Sequence, residues 1–146
     1  MNNCTIIIRG GELLNNLVID TSVIIAVIAK EPERDILIQH TQGVDLIAPP
    51  SVHWEIGNAL SSMFKRHRIS LDQAHRALSA YQQIPLRFVD VELDASLQIA
   101  DEMNIYAYDA YLIRAALKYR SPILSLDKYL IQCAKQMQAS VIEVQK

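Results

Sequence analysis

The feature that most limits how this chain can fold is an alternation of short apolar runs with longer amphipathic stretches. The apolar runs predict strands at residues 17–19, 44–48, 86–91, 122–124 and 140–144. Helical periodicity predicts helices at residues 23–29 and 33–42, from Ser51 onward, and at 70–83, 93–103, 108–119 and 128–138. Strands that alternate with helices form βαβ units, so we predict an α/β fold with a parallel sheet and helices on both faces.

Length and composition limit the chain to one ordinary globular domain. It has 146 residues, of which 51% are hydrophobic and 21% charged, and no repeat or low-complexity tract interrupts it. The formal net charge of −2 argues against a strongly cationic nucleic-acid-binding protein. If several of the acids bind cations, however, the remaining residues carry a net positive charge, which is compatible with binding a nucleic acid.

The cysteines and the apolar segments indicate a cytoplasmic protein that does not enter a membrane. Cys4 and Cys133 lack metal-binding spacing and are read as idle thiols, or alternatively as one disulfide. No basic residue precedes the apolar run at 5–8, which is therefore not a signal peptide. The longest apolar stretch, residues 23–29, is too short to span a bilayer.

Three acids follow or adjoin the predicted strands at positions that converge in space. Asp20 ends the first strand, Asp127 comes shortly after the fourth, and Asp109 lies in the first turn of a helix. Ligands of parallel α/β sheets bind outside the carboxyl ends of the strands. We therefore expect these three carboxylates to project from the same edge.

Glu55 is a fourth acid, placed on the apolar face of its helix. It shares that stripe with Val52, Ile56, Ala59 and Met63, where a carboxylate must be paired, metal-bound or neutralised. Asn58 lies near the same face, where it would orient a water molecule or hold the carboxylate.

Each acid alone has a structural explanation, since Asp20, Asp109 and Asp127 suit helix N-caps and Glu55 suits an arginine partner. Together they would repel one another by about 1–4 kcal/mol per pair at ~4 Å, so a bound cation is the better explanation. Ligands made only of carboxylate oxygens favour Mg²⁺ or Mn²⁺ over zinc.

Four segments resemble the acidic motifs of PIN domains, in the order of that family. They are Val18-Ile19-Asp20-Thr21-Ser22, Glu55-Ile56-Gly57-Asn58-Ala59-Leu60, Tyr108-Asp109-Ala110-Tyr111-Leu112 and Leu124-Ser125-Leu126-Asp127-Lys128. The resemblance begins near Leu17 and implies a three-layer α/β/α fold around a parallel sheet of four to five strands. It also implies a metal-dependent endoribonuclease like the VapC-type toxins of type II toxin–antitoxin modules.

The resemblance assigns roles residue by residue. Asp20, Glu55, Asp109 and Asp127 would be the catalytic, metal-binding acids for Mg²⁺ or Mn²⁺. Ser125 matches the small hydroxyl residue that precedes the last acid, and Thr21 or Ser22 would support Asp20. The implied partners are an RNA substrate, a cognate antitoxin and a second copy of the chain in a homodimer.

Two departures from the family pattern stand out. Residues 1–16 precede the first motif, and their run at 5–8 suggests an added edge strand or a partner contact before a single domain over 17–146. The family often has glycine just before its fourth strand, where this chain has Arg120-Ser121-Pro122. The second departure concerns the geometry of a turn and leaves the chemistry unchanged.

Basic residues supply candidate RNA contacts. Lys65, Arg66 and Arg68 end the long helix, where they either complement its dipole or bind RNA phosphates. Arg114 and Lys118 lie further along the helix of Asp109 and are candidates to flank the cleft.

Two other functions remain open from the sequence. The first is a PIN nuclease used in RNA processing. The second is a non-catalytic α/β module that binds a metal for regulation, as signalling receiver domains do. Receivers keep paired acids at the first strand, whereas here Asp20 stands alone and Glu55 lies on a helix.

Overall fold

A computed structural model describes residues 15–144 and shows a parallel sheet between layers of helices. The strands are β1 (Asn16–Ile19), β2 (Asp45–Ala48), β3 (Leu86–Phe88), β4 (Ile123–Leu124) and β5 (Val141–Ile142). The helices are α1 (Thr21–Ile28), α2 (Arg34–Thr41), α3 (Ser51–Lys65), α4 (Leu71–Gln82), α5 (Leu93–Met103), α6 (Ala107–Lys118) and α7 (Lys128–Gln136).

The five strands are all parallel and lie in the order β3-β2-β1-β4-β5. The chain starts at the centre with β1, moves outward through β2 to β3, and then returns to the other side of β1 with β4. The direction of winding therefore reverses between β1 and β4, where open α/β sheets form a crevice at their carboxyl edge.

The centre of the sheet is apolar because helices cover both of its faces. Val18, Ile47 and Ile123 have no exposed surface. From α6, Ile113 and Ala110 are equally buried. The helices form two packed groups, one in which α1 contacts α2, α3 and α4, and one made of α5 and α6.

Local sequence signals account for several helix ends. The side chain of Asp20 caps α1, and Ser70 and Gln73 form a reciprocal capping box at the start of α4. Asn104 ends α5 in the left-handed conformation, with φ of 53°.

The α/β/α architecture with a parallel sheet is confirmed, and the corrections concern element ends. The predicted strand at 86–91 ends at Phe88, because the Asp90 carbonyl accepts bonds from Tyr119 and Lys118 and the chain turns toward α6. The last strand and α7 are also shorter than predicted, and β1 begins one residue earlier, at Asn16.

The turn before β4 has a backbone conformation that favours glycine. Arg120 has φ of 48°, a left-handed conformation in which a side chain is strained. The chain therefore carries a side chain at a position where glycine would be unstrained.

The predicted N-terminal strand at residues 5–8 lies outside the described residues, and the division into an extension and a domain over 17–146 stays a prediction. Among residues 15–144, no helix is long and apolar enough to cross a membrane.

Candidate active site

The site lies where the winding of the sheet reverses. Asp20 directly follows β1, and Ser125 directly follows β4, the neighbouring strand in the sheet. The pairing of Ile19 with Leu124 brings these two residues to the same edge. A bond of 2.5 Å from the Ser125 hydroxyl to Oδ2 of Asp20 joins the two strand ends.

Asp20 is a buried acid held by hydroxyl groups. Only 5% of it is exposed, although it is charged at neutral pH in an unfolded chain. The Ser22 hydroxyl donates to Oδ1 at 2.5 Å, and the Val23 amide donates to the same oxygen at 3.3 Å. Asp20 is therefore both the N-cap of α1 and a fixed carboxylate facing the edge of the sheet.

Ser22 and Ser125 have matching roles on the two sides of Asp20. Each donates its hydroxyl proton to one carboxylate oxygen of Asp20 and accepts a backbone N–H from the turn after β4. Ser22 accepts from Leu126 at 3.1 Å, and Ser125 accepts from Asp127 at 2.9 Å. The two serines thus lock the β4–α7 turn onto Asp20.

Thr21 serves Glu55 and not Asp20. Its hydroxyl donates to Oε2 of Glu55 at 2.9 Å, which ties the start of α1 to the second turn of α3. The sequence had offered Thr21 or Ser22 as support for Asp20, and the structure gives that contact to Ser22.

Asp127 and Asp109 reach the edge from the starts of two helices. Asp127 caps α7, where its Oδ1 accepts the amides of Tyr129 and Leu130. Asp109 lies in the first turn of α6, whose N-cap is Tyr106, so it is not itself a cap. Within the described part of the chain, the Asp109 carboxylate accepts no hydrogen bond.

Burial and mutual repulsion raise the pKa of three acids of the cluster, Asp20, Asp109 and Glu55. Burial raises the pKa of Asp20 above its ordinary 3.8, and nearby Asp127 raises it further against the hydrogen bonds that lower it. Burial also raises the pKa of Asp109, to which Asp127 and then Asp20 add repulsion. Desolvation raises the pKa of Glu55, with Asp109 and Asp20 adding to the effect.

The acids of this cluster lack a lysine or arginine partner in the part of the chain that the structure describes. Among residues 15–144, no lysine or arginine forms an ion pair with Asp20, Glu55, Asp109 or Asp127. Burial of carboxylates without a cation is unfavourable, and it suits a site whose counter-charge comes from outside the chain.

The donor set suits a hard divalent cation, although the ligands do not form a closed shell. The available groups are carboxylate and hydroxyl oxygens, which Mg²⁺ and Mn²⁺ prefer. Over the same residues, no three His, Cys, Asp or Glu side chains stand together in a geometry that would hold a metal ion. Each of the four acids nevertheless lies within electrostatic reach of at least two of the others, so they face the same region of the sheet edge.

The remaining polar and basic candidates lie further from this centre. Asn58 is exposed, and no hydrogen bond joins it to Glu55 in the described structure, so its role stays a prediction. Lys65, Arg66 and Arg68 are exposed at the end of α3. No carboxylate of residues 15–144 forms an ion pair with any of the three. Lys65 lies about 15 Å along the helix axis from Glu55, at ~1.5 Å per residue.

Arg114 and Lys118 are engaged elsewhere. Nε of Arg114 lies 3.1 Å and Nζ of Lys118 2.9 Å from the carboxylate of Glu92, at the start of α5. These bonds lower the pKa of Glu92 to about 2. At ~100° per residue, both cations lie more than a third of a turn around α6 from Asp109. Their role in the structure is therefore to join α6 to the start of α5 through Glu92.

A groove lies beside Ser125 that the sequence motifs did not predict. It has a volume of about 440 Å³ and is lined by the turn after β4, one face of α7 and the chain after β5. Helical spacing places Lys128, Ile131, Gln132 and Lys135 on one face of α7, and that periodicity was the available clue.

Comparisons with known proteins identify the family and the fold. The PIN-domain family model matches residues 17–136. The crystal structure of PAE2754 from Pyrobaculum aerophilum is similar, with a TM-score of 0.68, 22% identity, and coverage of 91% of this chain and 87% of that chain.

Two further solved structures share the fold at lower identity. VapBC2 from Rickettsia felis, bound to a DNA fragment from their promoter, gives a TM-score of 0.63 at 13% identity, covering 87% of this chain and 97% of that one. VapC20 from Mycobacterium tuberculosis, a sarcin-ricin loop cleaving toxin, gives 0.56 at 14% identity, covering 80% and 93%. No curated protein sequence matches the chain.

Proposed function

The chain belongs to the PIN-domain family, and from this membership we propose that it is a metal-dependent endoribonuclease, the toxin of a type II toxin–antitoxin module. Hydrolysis of RNA phosphodiester bonds would take place at the carboxyl edge of the sheet, beside Asp20. The observation that carries the proposal is a set of mutually repelling acids at the β1–β4 crevice with which no lysine or arginine of residues 15–144 forms an ion pair.

Asp20, Glu55, Asp109 and Asp127 are the residues that would hold Mg²⁺ or Mn²⁺. When bound, the ion would stabilise negative charge on the phosphoryl oxygens and lower the pKa of a water molecule. Ser22 and Ser125 fix both oxygens of Asp20, so this carboxylate needs little reorganisation to act as a ligand. Thr21 holds one oxygen of Glu55 and leaves the other available.

Asp109 and Asp127 have carboxylate oxygens that accept no hydrogen bond within the described residues. Both hydrogen bonds that Asp127 accepts use Oδ1, so its Oδ2 accepts none within residues 15–144, and Asp109 has no donor over the same residues. These carboxylates would be available to hold a cation, whose charge would offset their repulsion. Asn58 is proposed to orient a water molecule near Glu55.

RNA would extend from the acids toward the basic end of α3. Lys65, Arg66 and Arg68 are exposed and free of ion pairs with described carboxylates, so phosphate binding there would not first break a salt bridge. Arg114 and Lys118 contribute less to this proposal, because Glu92 already binds both.

An antitoxin and a second copy of the chain are the proposed protein partners in the cytoplasm. VapBC2 and VapC20 share the fold and belong by name to toxin–antitoxin systems. Large apolar side chains are exposed in the isolated chain, among them Trp54 at 76%, Leu93 at 65% and Leu97 at 58%. Leu93 and Leu97 are four residues apart on α5 and share a face, which suits burial against a partner.

Cleavage of labelled tRNA and mRNA fragments tests the nuclease proposal. Wild type, Asp20→Asn and the control Asp101→Asn, which changes an exposed acid on α5, would be compared with Mg²⁺, with Mn²⁺ and with a chelator. We expect metal-dependent cleavage by wild type and the control and at least a hundredfold loss in Asp20→Asn. Absence of cleavage on every RNA would leave a non-catalytic binding module, and cleavage that survives Asp20→Asn would refute the site.

The partner proposal has its own measurement. Light scattering after gel filtration is expected to give the mass of a dimer for the 16.5 kDa chain. A monomer at all concentrations would refute the homodimer without affecting the nuclease.

A further inference from the structure

The groove along α7 opens directly beside the acidic site. Its floor contains Ser125, whose hydroxyl binds Asp20, and Leu126, whose amide binds Ser22. Any group that occupies the groove therefore contacts the same turn that carries Asp127. The groove thus shares the β4–α7 turn with the acids, although none of the four lines it.

The lining combines three kinds of chemistry. Leu126, Ile131 and Val144 provide apolar walls. Gln132 provides an amide that both donates and accepts hydrogen bonds. Lys128 provides a positive charge that no carboxylate within residues 15–144 pairs with.

A second lysine completes the groove at its far end. Lys135 forms an ion pair with Glu143, the residue that follows β5, and both side chains are about half exposed, at 51% and 56%. This pair connects α7 to the segment after the last strand, whereas Lys128 directly follows Asp127 in the sequence. The lysine without a carboxylate partner among residues 15–144 is therefore the one adjacent to an acid of the candidate site.

From these contacts we propose that the groove is a nucleotide-binding subsite that holds one base of the RNA next to the cleaved bond. The inference rests on the proposed nuclease function and adds the part of the protein that would read the substrate. A flat, largely apolar base fits between aliphatic walls, its polar edge suits the Gln132 amide, and its phosphate suits Lys128. The volume of about 440 Å³ lies in the range of small-molecule sites, roughly 300–1,000 Å³.

Simpler ligands use only part of this lining. A free phosphate needs the lysine but neither the apolar walls nor the amide, and an aliphatic peptide side chain needs only the walls. A nucleotide uses all three, and its sugar-phosphate chain continues toward the acids. Gln132 is accordingly the specificity-determining residue, and Lys128 contributes affinity without discrimination between bases.

Titration of the ¹⁵N-labelled full chain with each 5′-ribonucleoside monophosphate tests the subsite in the presence of a chelator. Ribose 5-phosphate is the probe that lacks a base. We expect the largest amide shifts at Leu126, Gln132 and Val144, and unequal affinities among the four nucleotides. Gln132→Ala should weaken the preferred nucleotide about fivefold and equalise the four, in line with loss of one hydrogen bond.

Two variants serve as controls for that titration. Gln136→Ala changes an exposed glutamine of α7 outside the groove and should bind like wild type, whereas Lys128→Ala should weaken all four nucleotides equally. Shifts located elsewhere, or equal binding of ribose 5-phosphate and every nucleotide, would overturn the proposal.

The subsite and the nuclease can fail separately. Nucleotide binding in the groove without cleavage of any RNA would refute the nuclease and leave a nucleotide site. Cleavage with the same base preference at the cut position in wild type and Gln132→Ala, read by sequencing the products, would refute the subsite and leave the nuclease.

Discussion

Replacement of Ser125 by alanine removes one oxygen atom from the centre of the acidic site. That oxygen donates to Oδ2 of Asp20 at 2.5 Å, accepts the Asp127 amide at 2.9 Å, and belongs to a residue only 4% exposed. A hydrogen bond to a charged group contributes about 1.5–3 kcal/mol, and an amide left without its acceptor adds to the loss. We expect Ser125→Ala to lower the free energy of unfolding by about 2–4 kcal/mol at pH 7.

The loss should depend on pH in a defined direction. The Ser125 bond favours the charged form of Asp20, so its removal raises the pKa of that carboxyl further. The difference between wild type and Ser125→Ala is therefore greatest at high pH, where Asp20 is ionised in both proteins. It should shrink as pH falls and both carboxyls become protonated.

Urea unfolding of four proteins measures the effect as a double-mutant cycle. Wild type, Ser125→Ala, Asp20→Ala and the double variant would be compared in a chelator at pH 5 and pH 8. We expect Ser125→Ala to cost at least 1 kcal/mol less in the Asp20→Ala background than in wild type. Ser61→Ala removes an exposed hydroxyl and should change stability by less than about 0.5 kcal/mol.

Two results would refute this reasoning. The first is a Ser125→Ala variant as stable as the Ser61→Ala control. The second is an equal loss with and without the Asp20 carboxylate, because the bond to Asp20 would then contribute nothing.

Three further predictions follow from the same structure. Because burial raises the pKa values of Asp20, Glu55 and Asp109 in the folded chain, metal-free stability should fall as pH rises above the ordinary carboxyl range of about 4. The fall should be smaller in Asp20→Asn; urea unfolding with a chelator checks this, and a rising or identical profile would contradict it. A Cβ at Gly57 would meet no atom within 4 Å, so Gly57→Ala should stabilise α3 by about 0.5–1 kcal/mol, and a thermal-melt midpoint below that of wild type would argue against this. Arg120→Gly should relieve a left-handed turn and raise stability by up to about 1 kcal/mol, whereas a loss would show that the arginine side chain stabilises the turn.

The architecture could be predicted because it depends on local sequence features. Apolar runs, helix caps and helix breakers predict the order of the elements and the parallel sheet. The acids at the strand ends predict the edge of the sheet at which the candidate site lies. Element ends were less predictable, as β3 shows, because a contact from Tyr119 to the carbonyl of Asp90 ends it. Such long-range contacts have no local signal.

The partners of the site residues were the part that could not be predicted. Spacing placed Thr21 and Ser22 beside Asp20, yet only the packing of α1 against α3 directs the Thr21 hydroxyl to Glu55. The sequence makes Arg114 and Lys118 candidates to flank the cleft, but in the folded chain both form ion pairs with Glu92. The α7 groove depends on where the chain runs after β5, which no motif marks.

Calorimetric titration with Mn²⁺ tests most directly the claim that the four acids form a metal site. Wild type would be compared with Asp20→Asn, Glu55→Gln, Asp109→Asn and Asp127→Asn, with Asp101→Asn as the control. The account predicts Mn²⁺ binding by wild type and the control, at least tenfold weaker binding in the Asp20, Glu55 and Asp109 variants, and a smaller loss for Asp127. Absence of Mn²⁺ binding by wild type would contradict it, and so would binding by all four variants that is as tight as that of wild type.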